Sequence, residues 1–470
     1  MNFLNNQEKT ISCHNSNGEA IQASLLNLGR YSASFEVYNP YSIIQLSEVL
    51  QDFQVKMQGK LIYEGEAVVS GLVNTGVLVV CEVSLSGEWY DVDLNRRRED
   101  GNKSLDREFS QHLESWKEIH RLSDEFKLNV ADMQNVLMGV ERWVNEIELS
   151  VKALSEDKRD NEELEILTTI KDQFAMAFSP HMNALEFIHK TIDTSQLNSY
   201  KYYIRRHLHP LILCAPFPFR TFQKPLGYAG DYEMVAMMLR DSYEGSSMFA
   251  KLVNYACLEM DPVVAHRNRI TYLQNAIREV TKPKILNKER PRILNLGCGP
   301  AQEIQQFIAQ DAECDHADFT LLDFNLETLQ FTSGEISNLK TKHQRTVNVT
   351  YLERSVNQLL RQSNRGDIDM EWESFDLVYC AGLFDYLSQK VCKRLVSLFY
   401  KLLAPGGKVI VTNVSNTNPR IGFMELLLEW NLIYRDNEGM LDLIPNSQGV
   451  THKLTSDETG VNLFLEIDKP

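Results

Sequence analysis

Positive charge is in short supply: Lys and Arg number 48 against 64 Asp and Glu, a formal net charge of −16. A surface this acidic repels phosphate backbones, which speaks against a nucleic-acid substrate. The one dense basic cluster, Arg96, Arg97 and Arg98, runs straight into Glu99 and Asp100 and reads as a solvated linker. Cysteine is also scarce. The eight residues contain no CxxC pair, so neither a metal site nor a disulfide framework is indicated, and they read as reduced thiols. No stretch approaches the ~18 uncharged apolar residues of a membrane span, and MNFLNNQEKT lacks the apolar run of a signal peptide. The expectation is a cytoplasmic protein with no membrane span, free of repeats and low-complexity tracts.

What is present is the composition of a folded chain, 43% hydrophobic and 24% charged, and 470 residues are enough for two or three domains. Residues 10–94 alternate apolar and polar in short runs punctuated by Gly29, Gly59, Gly65, Gly71, Gly76 and Gly87, which predicts a small β-barrel or sandwich, residues 1–98. From 106 to 280 the period becomes helical, with Phe109, Leu113, Trp116, Ile119 and Leu122 opening the first of three apolar stripes. The charged run at 155–163 reads as an exposed loop or helix end, and the polar stretch at 281–291 as a connection. In TFQKPLGYAGDYEM, Asp231 suits the N-cap of a helix. From 288 to 470, β-like runs alternate with helical ones, the pattern of a parallel, doubly wound α/β sheet. The expected whole is a multidomain chain: small β-barrel, central helical region that could pair subunits into a homo-oligomer, and Rossmann-like α/β domain.

The sharpest motif lies in the last of these. Asn295, Leu296, Gly297, Cys298 and Gly299 sit between a short apolar run and a helix expected near Gln302, where glycines let a backbone approach a ligand. Asp323 follows Gly297 by 26 positions at the end of the next apolar run, where an acid can take both ribose hydroxyls. A dinucleotide fold shares this spacing, but the third glycine of GxGxxG is replaced by Gln302, which disfavours a pyrophosphate and fits a nucleoside.

NLGCGPAQE, LLDF, FDLVYCAGLFDYL and LLAPGGKVIVTN, in this order over 291–416, resemble the motifs of class I S-adenosylmethionine-dependent methyltransferases. The resemblance implies that S-adenosylmethionine is the cofactor. Asn295, Leu296, Gly297, Cys298 and Gly299 would line its methionine and ribose part and Asp323 would hold the ribose. Phe324 and Asn325 would flank the adenine, Ser355 and Val356 would cap it, and Ala381 and Gly382 would close the site after the fourth motif. An acid common at the capping position is replaced here by Ser355. KPLGYAGDYEM (224–234) and NTNPRIGFMELLLEWNLIYR (416–435) extend the likeness to bacterial proteins of extracellular-factor 3-hydroxypalmitic acid methyl ester biosynthesis, in which a PilZ-like domain precedes the methyltransferase. A nucleotide-binding PilZ barrel carries an RxxxR arm and an Asp/Asn-x-Ser-x-x-Gly turn. Here no such arm precedes the barrel, and the turn reads Asn27, Leu28, Gly29, Arg30, Tyr31, Ser32, so cyclic-di-GMP is not expected to bind.

Methyl transfer from a sulfonium needs alignment and exclusion of water more than it needs a base. Candidates to act on the small-molecule acceptor are Tyr228, Asp231, Asp385 and Tyr386, with Tyr232, Arg420 and Glu425 nearby in the pattern; Arg205, Arg206 and His209 would suit an acidic acceptor. The competing reading is a regulatory protein: a degenerate sensor barrel joined to a methyltransferase fold that binds ligand without turnover.

Overall fold

The computed structural model describes residues 9–15, 20–37, 44, 48–57, 60–74, 79–89, 109–110, 113–114, 121–193, 196–226, 230–365 and 370–470. The basic cluster at 96–98 and most of the helical stripe at 109–119 lie outside them. The chain divides into two compact units, one built on the N-terminal 119 residues and a larger one holding nearly all of residues 120–470.

The N-terminal unit is a six-stranded antiparallel barrel. Strands β1 (Lys9–His14), β2 (Ala20–Leu28), β3 (Ser32–Val37), β4 (Val49–Met57), β5 (Lys60–Asn74) and β6 (Val79–Leu85) pair in the order β4-β1-β2-β3-β6-β5, and β4 pairs with β5 to close the ring. Short β7 (Glu88–Trp89) adds to β5. Every second residue turns inward, so Ile11, Cys13, Ala33, Phe35, Val37, Phe53, Val55, Tyr63, Cys81 and Val83 are all buried. Gly65 is required by a close crossing: a Cβ there would lie 2.5 Å from the Gly87 Cα.

In the larger unit, helices α1 (Asp124–Lys152), α2 (Glu156–His189), α3 (Leu197–Ile212), α4 (Pro216–Gln223), α5 (Tyr232–Met237), α6 (Met248–Leu258) and α7 (Asp261–Leu286) precede a seven-stranded sheet. The charged run at 155–163 forms no loop but the start of α2, where Glu156 and Asp157 suit the positive end of the helix dipole. Residues 281–286 extend α7 instead of beginning a connection; Pro283 falls in the last turn, where few hydrogen bonds remain to be lost. None of the described helices is long and apolar enough to cross a membrane.

The sheet runs β10-β9-β8-β11-β12-β14-β13, from β8 (Arg292–Leu296), β9 (Asp318–Asp323), β10 (Asn348–Glu353), β11 (Phe375–Cys380), β12 (Leu403–Val414), β13 (Thr451–Ser456) and β14 (Asn462–Asp468). The first five are parallel; β14 returns antiparallel to β12 and pairs with β13 as a hairpin. Between the strands come α8 (Gln302–Gln310), α9 (Leu326–His343), α10 (Val356–Arg365) and α11 (Gln389–Leu402), with α12 (Ile421–Leu426) and α13 (Asn437–Leu441) after β12. All six residues of β11 are buried, as expected of a central parallel strand covered on both faces. Strand order reverses between β8 and β11, the kind of switch point at whose carboxyl-end side open α/β sheets bind ligands.

Residues 416–435 tie the helices to the sheet. Glu186 of α2 accepts from the Gly422 and Phe423 amides at the start of α12, at 2.6 and 2.9 Å. Phe423, Leu426, Leu427 and Leu428 enter the same core as α1, α2 and α3.

Candidate cofactor and acceptor site

The turn after β8 is shaped by backbone conformation. Gly297 and Gly299 have φ of +65° and +50°, and Ala301 follows at +49° as the N-cap of α8. Gly297 and Cys298 donate their amides to the Leu322 carbonyl of β9, at 2.7 and 3.1 Å, which pins the turn across the strand ends. A Cβ on Gly299 would meet nothing within 4 Å, so this face of the turn is open for a ligand to lie against the backbone. The Leu296 side chain is buried in the core, leaving only its backbone beside the turn.

Asp323 ends β9 with 6% exposure. Its Oδ2 accepts from the Gly299 amide and its Oδ1 from the Asn325 amide, both at 3.0 Å. Burial pushes its pKa up, and these backbone donors oppose the shift. A carboxylate has about four lone-pair sites, so two bonds to amides leave capacity for a ribose diol. Phe324 is partly exposed beside it, and Asn325 caps α9 by accepting from the Thr328 amide.

Ser355 and Gln358 form a capping box at α10. The Gln358 amide donates to Ser355 Oγ at 3.2 Å, and the Ser355 amide to Gln358 Oε1 at 2.8 Å. Val356 packs against the sheet core. At β11, Ala381 and Gly382 follow Cys380, Gly382 has φ of +88°, and its amide donates to Thr412 Oγ1 at 3.2 Å.

Of the four residues proposed to act on the acceptor, Tyr228 lies outside the described residues. Asp231 is buried as the N-cap of α5, accepting from the Met234 amide at 2.8 Å and pairing with Arg220 Nε at 2.9 Å. Its segment nonetheless lies against Tyr386 and α9. A Cβ on Gly230 would be 3.2 Å from the Tyr386 hydroxyl, while Tyr232 bonds Glu327 at 2.8 Å and stacks on Phe331 of α9. Asp385 is buried and accepts from the Val414 amide at 2.7 Å; burial pushes its pKa up to about 6, opposed by Arg269, that amide and Arg435. The Tyr386 hydroxyl accepts from Trp430 Nε1 at 2.9 Å.

Of the basic residues suggested for an acidic acceptor, Arg206 is exposed, and Arg205 and His209 are engaged in packing. Arg205 pairs with Glu429 at 2.6 Å and donates to the Leu426 carbonyl, and His209 meets the Leu427 carbonyl at 2.9 Å. Glu425 meets His189 at 3.2 Å, and Arg420 meets Asp261 at 3.3 Å.

Several buried polar residues near the carboxyl ends of the strands went unread in the sequence. Buried Glu303 accepts from Asn295 Nδ2 at 3.0 Å and from the Tyr379 hydroxyl at 2.6 Å, and Asn295 Oδ1 is buried with no hydrogen bond among the described residues. Tyr434 lies between two anchors: the Ile433 amide bonds the Asp385 carbonyl, and the Arg435 side chain bonds the Phe384 and Leu387 carbonyls. Its hydroxyl is buried near Glu425, Asp385, Glu186 and Tyr386 with no hydrogen-bond partner among the described residues. Glu303 and Arg269 had a visible signal, since each is charged yet falls on the buried face of its helix, Arg269 at the four-residue interval of Ala265, Leu273 and Ile277.

Residues 294–409 match the family model for a methyltransferase domain. The part of the α/β sheet from β8 into β12 is therefore similar to a methyltransferase domain. No curated protein matches the chain. Among solved structures, a "possible exported protein" from Bordetella parapertussis is 15% identical over 66% of this chain and 97% of its own, with a TM-score of 0.40. The N-methyltransferase NodS from Bradyrhizobium japonicum, in complex with S-adenosylhomocysteine, is 14% identical over 53% and 99%, TM-score 0.30. The magnesium protoporphyrin IX methyltransferase of Synechocystis, with bound S-adenosylmethionine, is 13% identical over 45% and 82%, TM-score 0.29.

Proposed function

We infer that the chain transfers a methyl group from S-adenosylmethionine to an oxygen or nitrogen of a small-molecule acceptor. One observation carries this: the open face of Gly299 and the carboxylate of Asp323 are bonded to each other at one edge of the switch-point crevice, a combination suited to a nucleoside without a diphosphate. When bound, the cofactor supplies a methyl group on a sulfonium leaving group. The protein's part is to position and to exclude water. Asp323 holds the ribose, Phe324 and Asn325 border the adenine, and the segment 230–232 roofs the crevice. Tyr434, a buried donor with no hydrogen-bond partner among the described residues, orients the acceptor.

The likeness to 3-hydroxypalmitate methyl ester biosynthesis makes a hydroxy fatty acid carboxylate the first acceptor to try. Such a nucleophile is already ionised, so no base is needed. The barrel serves as a partner-binding or scaffold module and not as a cyclic-di-GMP receptor.

Calorimetric titration with S-adenosylmethionine and S-adenosylhomocysteine tests the reading. Wild type should bind with micromolar affinity, about −8 kcal/mol, and Asp323→Ala should lose it. Tyr434→Phe should retain cofactor binding while transfer to the true acceptor falls at least tenfold. Absence of wild-type binding would sink the enzyme reading and leave the regulatory one.

A further inference from the structure

Arg269 of α7 is a buried cation with little to balance it. It is 9% exposed, and its Nη2 meets His266 Nδ1 at 2.8 Å. Burial and the charges of Arg269 and Arg267 push the His266 pKa well down, so the imidazole is a neutral acceptor that supplies no negative charge. No ion pair joins Arg269 to a carboxylate among the described residues; Asp385 and Glu303 act on it only through space. An arginine does not shed its proton to escape burial, and a buried charge needs a counter-charge.

Its position says which counter-charge. A Cβ on Gly382 would lie 3.1 Å from both Nη1 and Nη2, so the guanidinium sits against the backbone just past the carboxyl end of β11. β11 and β8 flank the switch point, and Asp323 ends β9 on the other side of β8. With the ribose at Asp323 and the adenine toward Phe324 and Ser355, the amino-acid half of the cofactor runs the opposite way, past Gly299 toward β11. That half carries the only carboxylate of the molecule, and a guanidinium is the side chain that grips a carboxylate with two parallel hydrogen bonds.

We propose that Arg269 binds the α-carboxylate of S-adenosylmethionine and, through it, sets which end of the crevice the methionine half occupies. This rests on the cofactor reading above. His266 holds the guanidinium in place as a positioning residue, and the small Gly382 is what lets it reach the ligand.

The test is calorimetry on the full chain with paired ligands. S-adenosylhomocysteine carries the carboxylate; 5′-methylthioadenosine keeps the nucleoside and thioether without it. Arg269→Gln should weaken S-adenosylhomocysteine at least 30-fold and leave 5′-methylthioadenosine within twofold, with Arg269→Lys between. Equal weakening of both ligands would mean that Arg269 only supports the fold, and no weakening that Asp385 and Glu303 suffice as its counter-charges; either overturns the proposal. A measurement on wild type alone avoids any folding defect: decarboxylated S-adenosylmethionine should bind at least 30-fold more weakly than S-adenosylmethionine, and equal affinity overturns the proposal. Wild type that binds 5′-methylthioadenosine and S-adenosylhomocysteine equally refutes Arg269 alone, whereas wild type that binds neither refutes the cofactor reading itself.

Discussion

The barrel and the α/β domain bury different things. Inside the barrel lie Ile, Val, Leu, Phe, Ala, Tyr63 and two thiols, Cys13 and Cys81, whose pKa values burial pushes up to about 12, so they stay neutral, and Glu48 is its one buried charged side chain among the described residues. In the α/β domain, Asp323, Glu303, Asp385, Arg269 and Arg435 are all buried around the carboxyl ends of the strands. Burying a charge costs far more than burying a methyl group, so polar burial on this scale is tolerated where a ligand or a backbone that shapes a site needs it. The contrast separates a unit whose interior is almost wholly apolar from one that gathers five charged side chains at one end of its sheet.

One substitution in each unit puts that separation to its hardest test. Arg435→Ala leaves the Phe384 and Leu387 carbonyls and Asn413 without their donor in a buried setting, at about 3–5 kcal/mol. The larger unit should melt earlier and cofactor affinity should fall with it. Gly65→Ala drives a methyl into Gly87, whose backbone cannot move aside, and should destabilise the barrel while S-adenosylhomocysteine binding stays unchanged. Differential scanning calorimetry with and without S-adenosylhomocysteine resolves both; loss of binding in Gly65→Ala would show that the units are coupled.

Asp385→Asn sharpens the contrast within the α/β domain. A folded pKa raised from 3.8 to about 6 means that the protonated carboxyl fits the fold better than the ionised one. Its contribution is therefore full below about pH 4 and is lost as pH rises through about 6. The variant keeps an oxygen for the Val414 amide and has no proton to lose, so its urea midpoint should gain on wild type between pH 4 and 6 and hold that gain above. A gap that shrinks over this range would identify Asp385 as a stable ionic partner of Arg269.

The parts of the site that could be read in the sequence are those whose chemistry is local. Gly297 and Gly299 announce a left-handed turn because few other residues tolerate one, and Asp323 announces itself by standing at the end of an apolar strand. Period-two alternation marked the barrel in the same way. Arg269 and Tyr434 were missed because their meaning depends on partners 113 and 49 residues away, Gly382 and Asp385, that only the sheet topology brings close. The β13–β14 hairpin went unread, and the helical end of α7 was hidden by Pro283, a residue that usually marks a stop.

The smallest expected effect decides what Ser355 is for. Its side chain and amide are both engaged with Gln358, so Ser355→Ala should cost about 1 kcal/mol of stability, and Gln358→Ala on top of it should add less than it costs alone, because the two bonds form one reciprocal box. Cofactor affinity should then fall no more than about twofold, since the amide and hydroxyl of the serine are already engaged within the chain. If instead S-adenosylhomocysteine affinity drops tenfold or more while the urea midpoint is unmoved, the serine is a ligand contact. Ser355 would then belong with Asp323 among the groups that hold the nucleoside.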